Sequence, residues 1–369
     1  MEVVCLDDAN SDFLVPQVFP YHALGAGRGS WAYHRALRPW LNKNLPRFDA
    51  VVLNGLWQYS GYLMSKLARQ NVSFPYFIFP HGMLDPWFQQ VSKRRLKAIR
   101  NWFYWKFIEQ HVIRQAEGLL FTCAEEMRVA RETFRPYQPK RQIDVGFGVA
   151  EPPAYHPGMA NAFRQKCPGV NNNSYFLFLG RVDLKKGIDI LIEAYAAMLQ
   201  SGAKTGKDLF PSLVIAGPGL ETAFGRQMQQ LALSLCPSDS VFWPGMLIGD
   251  AKWGALYHSE AFVLTSHQEN FGIAVAEAMG CGKAVLISNK INIWREIEQD
   301  KAGLFGEDTQ PGAEKLLARW LRLPTEDKMA MARAAKASFE KRFGVSSAAR
   351  SLVAALGEST MPRRTESLR

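Results

Sequence analysis

The sequence has no stretch near the roughly 18 consecutive apolar residues that a membrane-spanning helix needs, which excludes such a span. It has little cysteine. Cys5, Cys123, Cys167, Cys236 and Cys281 are odd in number and scattered, and none forms a C-x-x-C unit. That excludes a disulfide framework or a zinc ribbon and points to a reducing compartment. It has no D-x-D, no H-E-x-x-H and no histidine pair at ligand spacing, so no metal site is indicated. The first residues, with Glu2, Asp7 and Asp8, lack the basic and apolar regions of a signal peptide. Acidic residues are the minority charge: 34 Asp and Glu against 44 Lys and Arg leave a net charge of +10. An anionic partner fits that balance, whether nucleotide phosphate, an anionic membrane surface or nucleic acid. Charge alone does not choose among them.

Apolar residues are plentiful. At 47% hydrophobic, the 369 residues can build a sizeable core, which excludes disorder of the whole chain. The length suits two domains at about 150 residues each. Short apolar runs alternate with segments of helical period. Val3–Leu6, Ala50–Leu53, Tyr76–Phe79, Gly118–Phe121 and Ile143–Val145 read as strands in the first half of the chain. Tyr175–Leu179, Ser212–Ile215, Val241–Trp243, Ala261–Leu264 and Ala284–Ile287 read as strands in the second half. Between strands, Ile188, Leu191, Ile192, Tyr195 and Leu199 form a helical stripe. This alternation predicts an α/β fold with parallel sheets covered by helices. Breakers at Glu151–Pro153 and His156–Gly158 place the boundary, giving domains at 1–150 and 151–357 and a flexible polar tail at 358–369.

Four segments carry candidate chemistry. The first is His267 to Gly280, after the strand Ala261–Leu264. Its helix starts near Gly272, is rich in small residues, and has Glu277 as its sole charge; Glu269 lies in the loop before it. The free amides at a helix start form an anion cradle. A carboxylate inside an apolar helix is costly unless paired or met by ligand hydroxyls. The bland alternative is two ordinary glutamates, one exposed on a helix. The second segment is Gly180–Gly187, between a buried strand and an amphipathic helix, where open α/β sheets bind ligands. Arg181 can fork onto phosphate and Lys186 adds a point charge, or the loop is merely solvated and basic.

The third segment is Phe79–Pro86, where His81 directly follows a strand and Asp85-Pro86 reads as a helix cap. A turn histidine satisfied by backbone is the rival. The fourth, Trp87–Arg114, sets seven cations against Glu109 alone, interleaved with aromatics such as Trp102, Phe103 and Phe107. It suits an anionic membrane surface or nucleic acid, or a helix pair with aromatics in the core. Gly25–Gly29 contains a G-x-G that no clear strand enters and no clear helix leaves, a weak phosphate-loop signal.

Together these residues resemble a known family. Glu269 and Glu277 form the E-x7-E signature of retaining glycosyltransferases of family four, which have the GT-B fold. Phe178-Leu179-Gly180-Arg181 with Lys186-Gly187 looks like the donor-phosphate loop of that family. Ala216-Gly217-Pro218-Gly219 and Trp243-Pro244-Gly245-Met246 look like its nucleotide-side loops, and Pro80-His81-Gly82 is similar to an acceptor-domain loop. The resemblance implies two Rossmann-like doubly wound domains facing across a cleft. It implies that Glu269 contacts the transferred sugar, with His81 near it. Arg181, Lys186 and the backbone of Asn270, Phe271 and Gly272 would hold the diphosphate, and Glu277 the ribose.

The resemblance also implies a nucleotide-diphosphate sugar as donor, a saccharide or lipid-linked saccharide as acceptor, no cofactor and no metal. Family members usually open with a strand, a Gly-Gly turn and a helix before the strand seen here as Val3–Leu6. That unit is expected to be missing from the first domain, through a late start assignment or a truncation. The expected setting is cytoplasmic, at the inner face of the plasma membrane, in cell-surface polysaccharide assembly. Other GT-B enzymes, an epimerase or a phosphorylase, and a non-catalytic or nucleic-acid-binding protein remain as rivals.

Overall fold

A computed structural model of the chain describes residues 1–12, 14, 18–70, 74–87, 95–170, 173–201 and 210–360; for residues 95–97, 359 and 360 the description is of the backbone alone. The chain divides into two compact units, Met1–Val145 together with the chain from Ser351, and Gly146–Arg350.

In the second unit the apolar runs form an all-parallel six-stranded sheet. Its strands are β7 (Tyr175–Leu179), β8 (Ser212–Ala216), β9 (Val241–Gly245), β10 (Ala261–Leu264), β11 (Val285–Ser288) and β12 (Gly303–Gly306). The spatial order is β12-β11-β10-β7-β8-β9. β8, β10 and β11 are buried throughout, as strands covered by helices on both faces must be, which is why they read as continuous apolar runs. β9 is the edge strand and carries Pro244, a residue that a central strand would not accept. Counted from β7 as first, the order is 3-2-1-4-5-6 reversed, the doubly wound arrangement. Its direction of winding switches between β7 and β10, and ligands bind outside the carboxyl ends of the strands at such a switch.

The first unit contains a parallel four-stranded sheet of β3 (Val51–Asn54), β4 (Tyr76–Phe79), β5 (Gly118–Phe121) and β6 (Gln142–Asp144), in that order. A separate parallel pair joins β1 (Val3–Cys5) to β2 (Tyr21–Ala23). One apolar core, containing Leu41, Leu63, Ile78, Trp105 and Leu119, takes in Val4, Leu24, Val51 and Leu53 as partly buried neighbours, so both sheets share it. A strand does lead into Gly25–Gly29, against the sequence expectation. No helix leaves it: the segment closes on itself through paired bonds between Arg28 and Tyr33, so it has no helix-start amides to offer phosphate.

The helix Val345–Thr360 extends through residues that the sequence assigned to a tail. Leu352, Ala355 and Leu356 pack with Phe77, Phe79, Leu120 and Val145, which explains why the chain from Ser351 groups with the first unit. Apolar contact, and not position along the chain, decides that membership.

Candidate functional site

The topological switch of the second sheet is where the two strongest sequence segments meet. The loop after β7 runs through Gly180–Gly187 and the loop after β10 through Thr265–Gly272. They are stapled together: Thr265 Oγ1 donates to the Gly187 carbonyl at 2.7 Å, and the His267 amide to the Lys185 carbonyl at 2.9 Å. Gly187 is left-handed at φ +60° and caps the helix Ile188–Gln200, and a Cβ there would lie 2.2 Å from the Thr265 carbonyl oxygen. Only glycine combines that backbone with that approach.

The same crowding recurs one strand away. Gly217, after β8, has φ +151°, and a Cβ on it would lie 1.8 Å from the Gly180 carbonyl oxygen. The Val182 amide bonds the Pro218 carbonyl at 2.8 Å, so the two loops run backbone against backbone. Gly217→Ala is therefore expected to destabilise the chain by about 3 kcal/mol or more, since rigid backbone is the obstacle. Urea unfolding of the variant checks this.

Within this frame Lys186 Nζ donates to Glu269 Oε2. The two residues are 83 positions apart, and the structure brings them into one partly buried ion pair. The backbone of Glu269 is held on both sides by the turn after β11. Its amide bonds the Lys290 carbonyl at 2.9 Å and its carbonyl accepts from Asn292 at 3.0 Å. Gly272 caps the helix Ile273–Gly280 with φ +84°, and the amides ahead of Val275 have no carbonyl one turn earlier to bond. The Phe271 side chain is buried against Phe147 and Phe343, so this residue anchors the loop and can offer a ligand only its backbone. Arg181 is exposed and makes no ion pair with any described residue.

Glu277, partly buried on that short helix, has a partner that sequence reasoning missed. Lys252 Nζ, from the helix Gly249–His258, stands 2.7 Å from Glu277 Oε1 and 4.0 Å from the centre of the Trp253 ring. The pairing resolves the cost of a carboxylate in an apolar helix. A second missed pair is His267 Nδ1 with Asp308 Oδ2 at 3.1 Å, in the loop that carries Glu269.

His81 lies in the first unit, where β4 ends beside β3. Its backbone is left-handed at φ +51°, followed by Gly82 at +77°. The ring stacks on Phe79 with centroids 4.4 Å apart, and Nε2 stands 2.9 Å from Asn54 Oδ1. Burial lowers the imidazole below its ordinary value, so the ring is neutral at pH 7 and Nε2–H donates to Asn54. Buried Glu126 fixes the turn: its carboxylate accepts from the amides of Gly82 and Thr122 and from the Thr122 hydroxyl. Neither Asn54 nor Glu126 carried a signal in the sequence. Asp85 does act as a cap, accepting from the Trp87 amide at 2.8 Å.

A doubly wound α/β sheet with cations, a helix start and carboxylates at its switch point brings together the groups that a phosphate site uses. Comparison then assigns the family. The pattern described as Glycosyl transferases group 1 matches residues 160–338, and that described as Glycosyl transferase 4-like domain matches residues 1–146. Between them they take in most of the chain, and it belongs to this glycosyltransferase family.

Among curated relatives, a D-inositol 3-phosphate glycosyltransferase of Geodermatophilus obscurus is 28% identical over 207 residues, 55% of this chain and 45% of the relative. One of Gordonia bronchialis is 30% identical over 188 residues, 49% and 39% respectively. The matched stretch thus spans less than half of these relatives. Two solved structures share the fold with two Rossmann-like domains. Sucrose-phosphate synthase from Thermosynechococcus elongatus has a TM-score of 0.70 at 17% identity, covering 97% of this chain and 88% of that one. Anabaena HepE in complex with UDP and glucose has a TM-score of 0.67 at 17% identity, covering 92% and 86%.

Proposed function

We propose that the chain transfers a hexosyl group from a nucleotide-diphosphate sugar to a saccharide or lipid-linked saccharide, with retention of anomeric configuration. The observation that carries this reading is the meeting of Arg181, the Lys186–Glu269 pair and the Gly272 helix start at one switch point. Retention rests on the family resemblance. In the reaction the bond from the anomeric carbon to the diphosphate oxygen breaks and its electron pair stays on the diphosphate. The acceptor oxygen forms the new bond and releases its proton. Positive charge grows on the sugar, as in glycoside hydrolysis, and negative charge on the leaving group.

Arg181, Lys186 and the helix start supply fixed positive potential where the leaving group needs it, with Asn270, Phe271 and Gly272 contributing backbone amides. Those groups give the site a cationic character of its own, which supports a reaction without metal or cofactor. Glu277 receives the ribose hydroxyls, and Glu269 faces the sugar. The first unit's own candidate for the reaction is His81, neutral and fixed on its turn. The setting that fits these substrates is the cytoplasmic face of a membrane, in cell-surface polysaccharide assembly.

A thermal-shift panel of UDP-, GDP-, ADP- and CMP-sugars without metal tests the donor. A ligand that binds the native state raises its apparent stability. One nucleotide class should stabilise the wild type and fail to stabilise Arg181→Ala. A folded protein indifferent to all four classes would remove the transferase reading.

A further inference from the structure

The helical segment Arg95–Gln115 has two faces of different character. Trp105, Val112 and Ile113 point into the core of the first unit. Ile99, Trp102, Phe103 and Phe107 point out, with 55%, 47%, 51% and 66% of their surfaces exposed. Their spacing of three, four and eight positions places them on one stripe of the helix Arg95–Tyr104 and the wider π turn Trp105–Glu109 that continues it. The exposed rings touch one another: Trp102 meets Phe103 edge-on at 5.0 Å, and Phe103 stacks on Phe107 at 6.4 Å. Solvated faces of monomeric proteins rarely carry four large apolar side chains on one stripe, three of them in contact.

The charge on this stripe has one sign. Lys106 Nζ sits 5.2 Å from the Trp102 ring centre and 6.0 Å from that of Phe107, and Arg100 is exposed on the adjoining turn. The segment's single acid, Glu109, is turned inward and 1% exposed. Its carboxyl is pushed up to about 8 by burial, so it is protonated at neutral pH. Lys93 and Arg94 lie outside the described residues, as does the side chain of Arg95, and the stripe is complete without them.

We infer that the stripe Ile99, Trp102, Phe103 and Phe107, with Arg100 and Lys106, docks the first unit onto an anionic lipid surface. The rings enter the boundary between headgroups and acyl chains, and the two cations meet lipid phosphate. Lys106 can lay its stem along the rings and hold its ammonium at headgroup level. A second copy of the chain fits less well. A two-fold contact would bring the Arg100 and Lys106 cations of one copy up to the like charges of the other, with no acid on the stripe to pair them.

The inference names the partner of the acceptor side and takes its purpose from the transferase reading, while the binding is measured without donor. Cosedimentation with vesicles of phosphatidylcholine, with and without phosphatidylglycerol, is the direct test. The full chain should bind the anionic vesicles, and binding should weaken with salt. Lys106→Gln should weaken it about fivefold, the scale of one interfacial cation. Phe103→Ser with Phe107→Ser should weaken it more than tenfold. These side chains are exposed, so unfolding temperature and any donor-induced shift should not move.

No binding to anionic vesicles, or equal binding by the double variant, would overturn the proposal. So would sedimentation-velocity evidence that the same substitutions abolish self-association, or tight single-stranded DNA binding through these residues. A normal donor shift in a protein that ignores vesicles would sink this inference alone. Vesicle binding without any donor shift would sink the transferase reading alone.

Discussion

Glu269→Gln is expected to lower turnover by about 10²–10³-fold while leaving donor affinity close to wild type. A carboxylate about 4 Å from a developing positive charge, at an effective dielectric near 20, is worth about 4 kcal/mol, or nearly 10³ in rate. Glutamine keeps the shape and removes the charge. The loop itself should stay in place, because Glu269 is fixed through its backbone to Lys290 and Asn292. The loss should therefore fall on kcat and spare the donor KM, the signature of an interaction made only in the transition state. Lys186, freed of its carboxylate, remains available to the diphosphate, so the donor KM has a reason to hold or fall. Initial-rate kinetics with the donor found in the thermal-shift panel decide the matter. A kcat within about threefold of wild type would remove Glu269 from the reaction.

Glu109→Gln is expected to stabilise the chain, increasingly so as pH rises from 5 to 8. The native carboxyl sits at about 8 because burial penalises its charged form, while the Trp57 amide bond offsets part of that. An ordinary glutamate ionises near 4.5. Between those values the native state holds a proton that the unfolded chain has released. Stability therefore falls with rising pH, by up to ~1.4 kcal/mol per unit for a single proton. Glutamine has no proton to lose and keeps an oxygen for the Trp57 amide. The variant should match wild type near pH 5 and exceed it by a few kcal/mol near pH 8, as read from urea unfolding across that range. Parallel pH profiles for the two proteins would show that Glu109 is charged and solvated in the native state.

Both sheets were legible wherever a strand is buried on two faces, since Tyr175–Leu179 and Ala261–Leu264 have no polar positions to confuse the pattern. β2 and β12 escaped for opposite reasons. Tyr21–Ala23 is three half-buried residues, too short to show a period. Gly303–Gly306 opens and closes on glycine, which reads as a loop until the sheet shows Gly303 pressed on the Val285 carbonyl.

In the candidate site, the residues on loops that leave a strand could be named from the sequence, because strand ends announce themselves: Arg181, Lys186, Glu269 and His81. The residues that hold them could not. Lys252 meets Glu277 across 25 positions, and Glu126 meets Gly82 across 44, each from a helix whose sequence gives no reason to single it out. Pairing across elements is a property of the sheet order, and nothing local encodes it.

The helix start at Gly272 also separates the two glutamates. Glu269 stands on the loop ahead of it and Glu277 inside the helix Ile273–Gly280, so the helix start lies between the two carboxylates along the chain. Each has its own lysine partner, Lys186 on the loop after β7 and Lys252 on the helix after β9. A ligand that engages both carboxylates must be long enough to reach from one to the other while its anionic middle passes the helix start. Such a ligand carries hydroxyl groups at its two ends and negative charge between them, whichever base or sugar it bears.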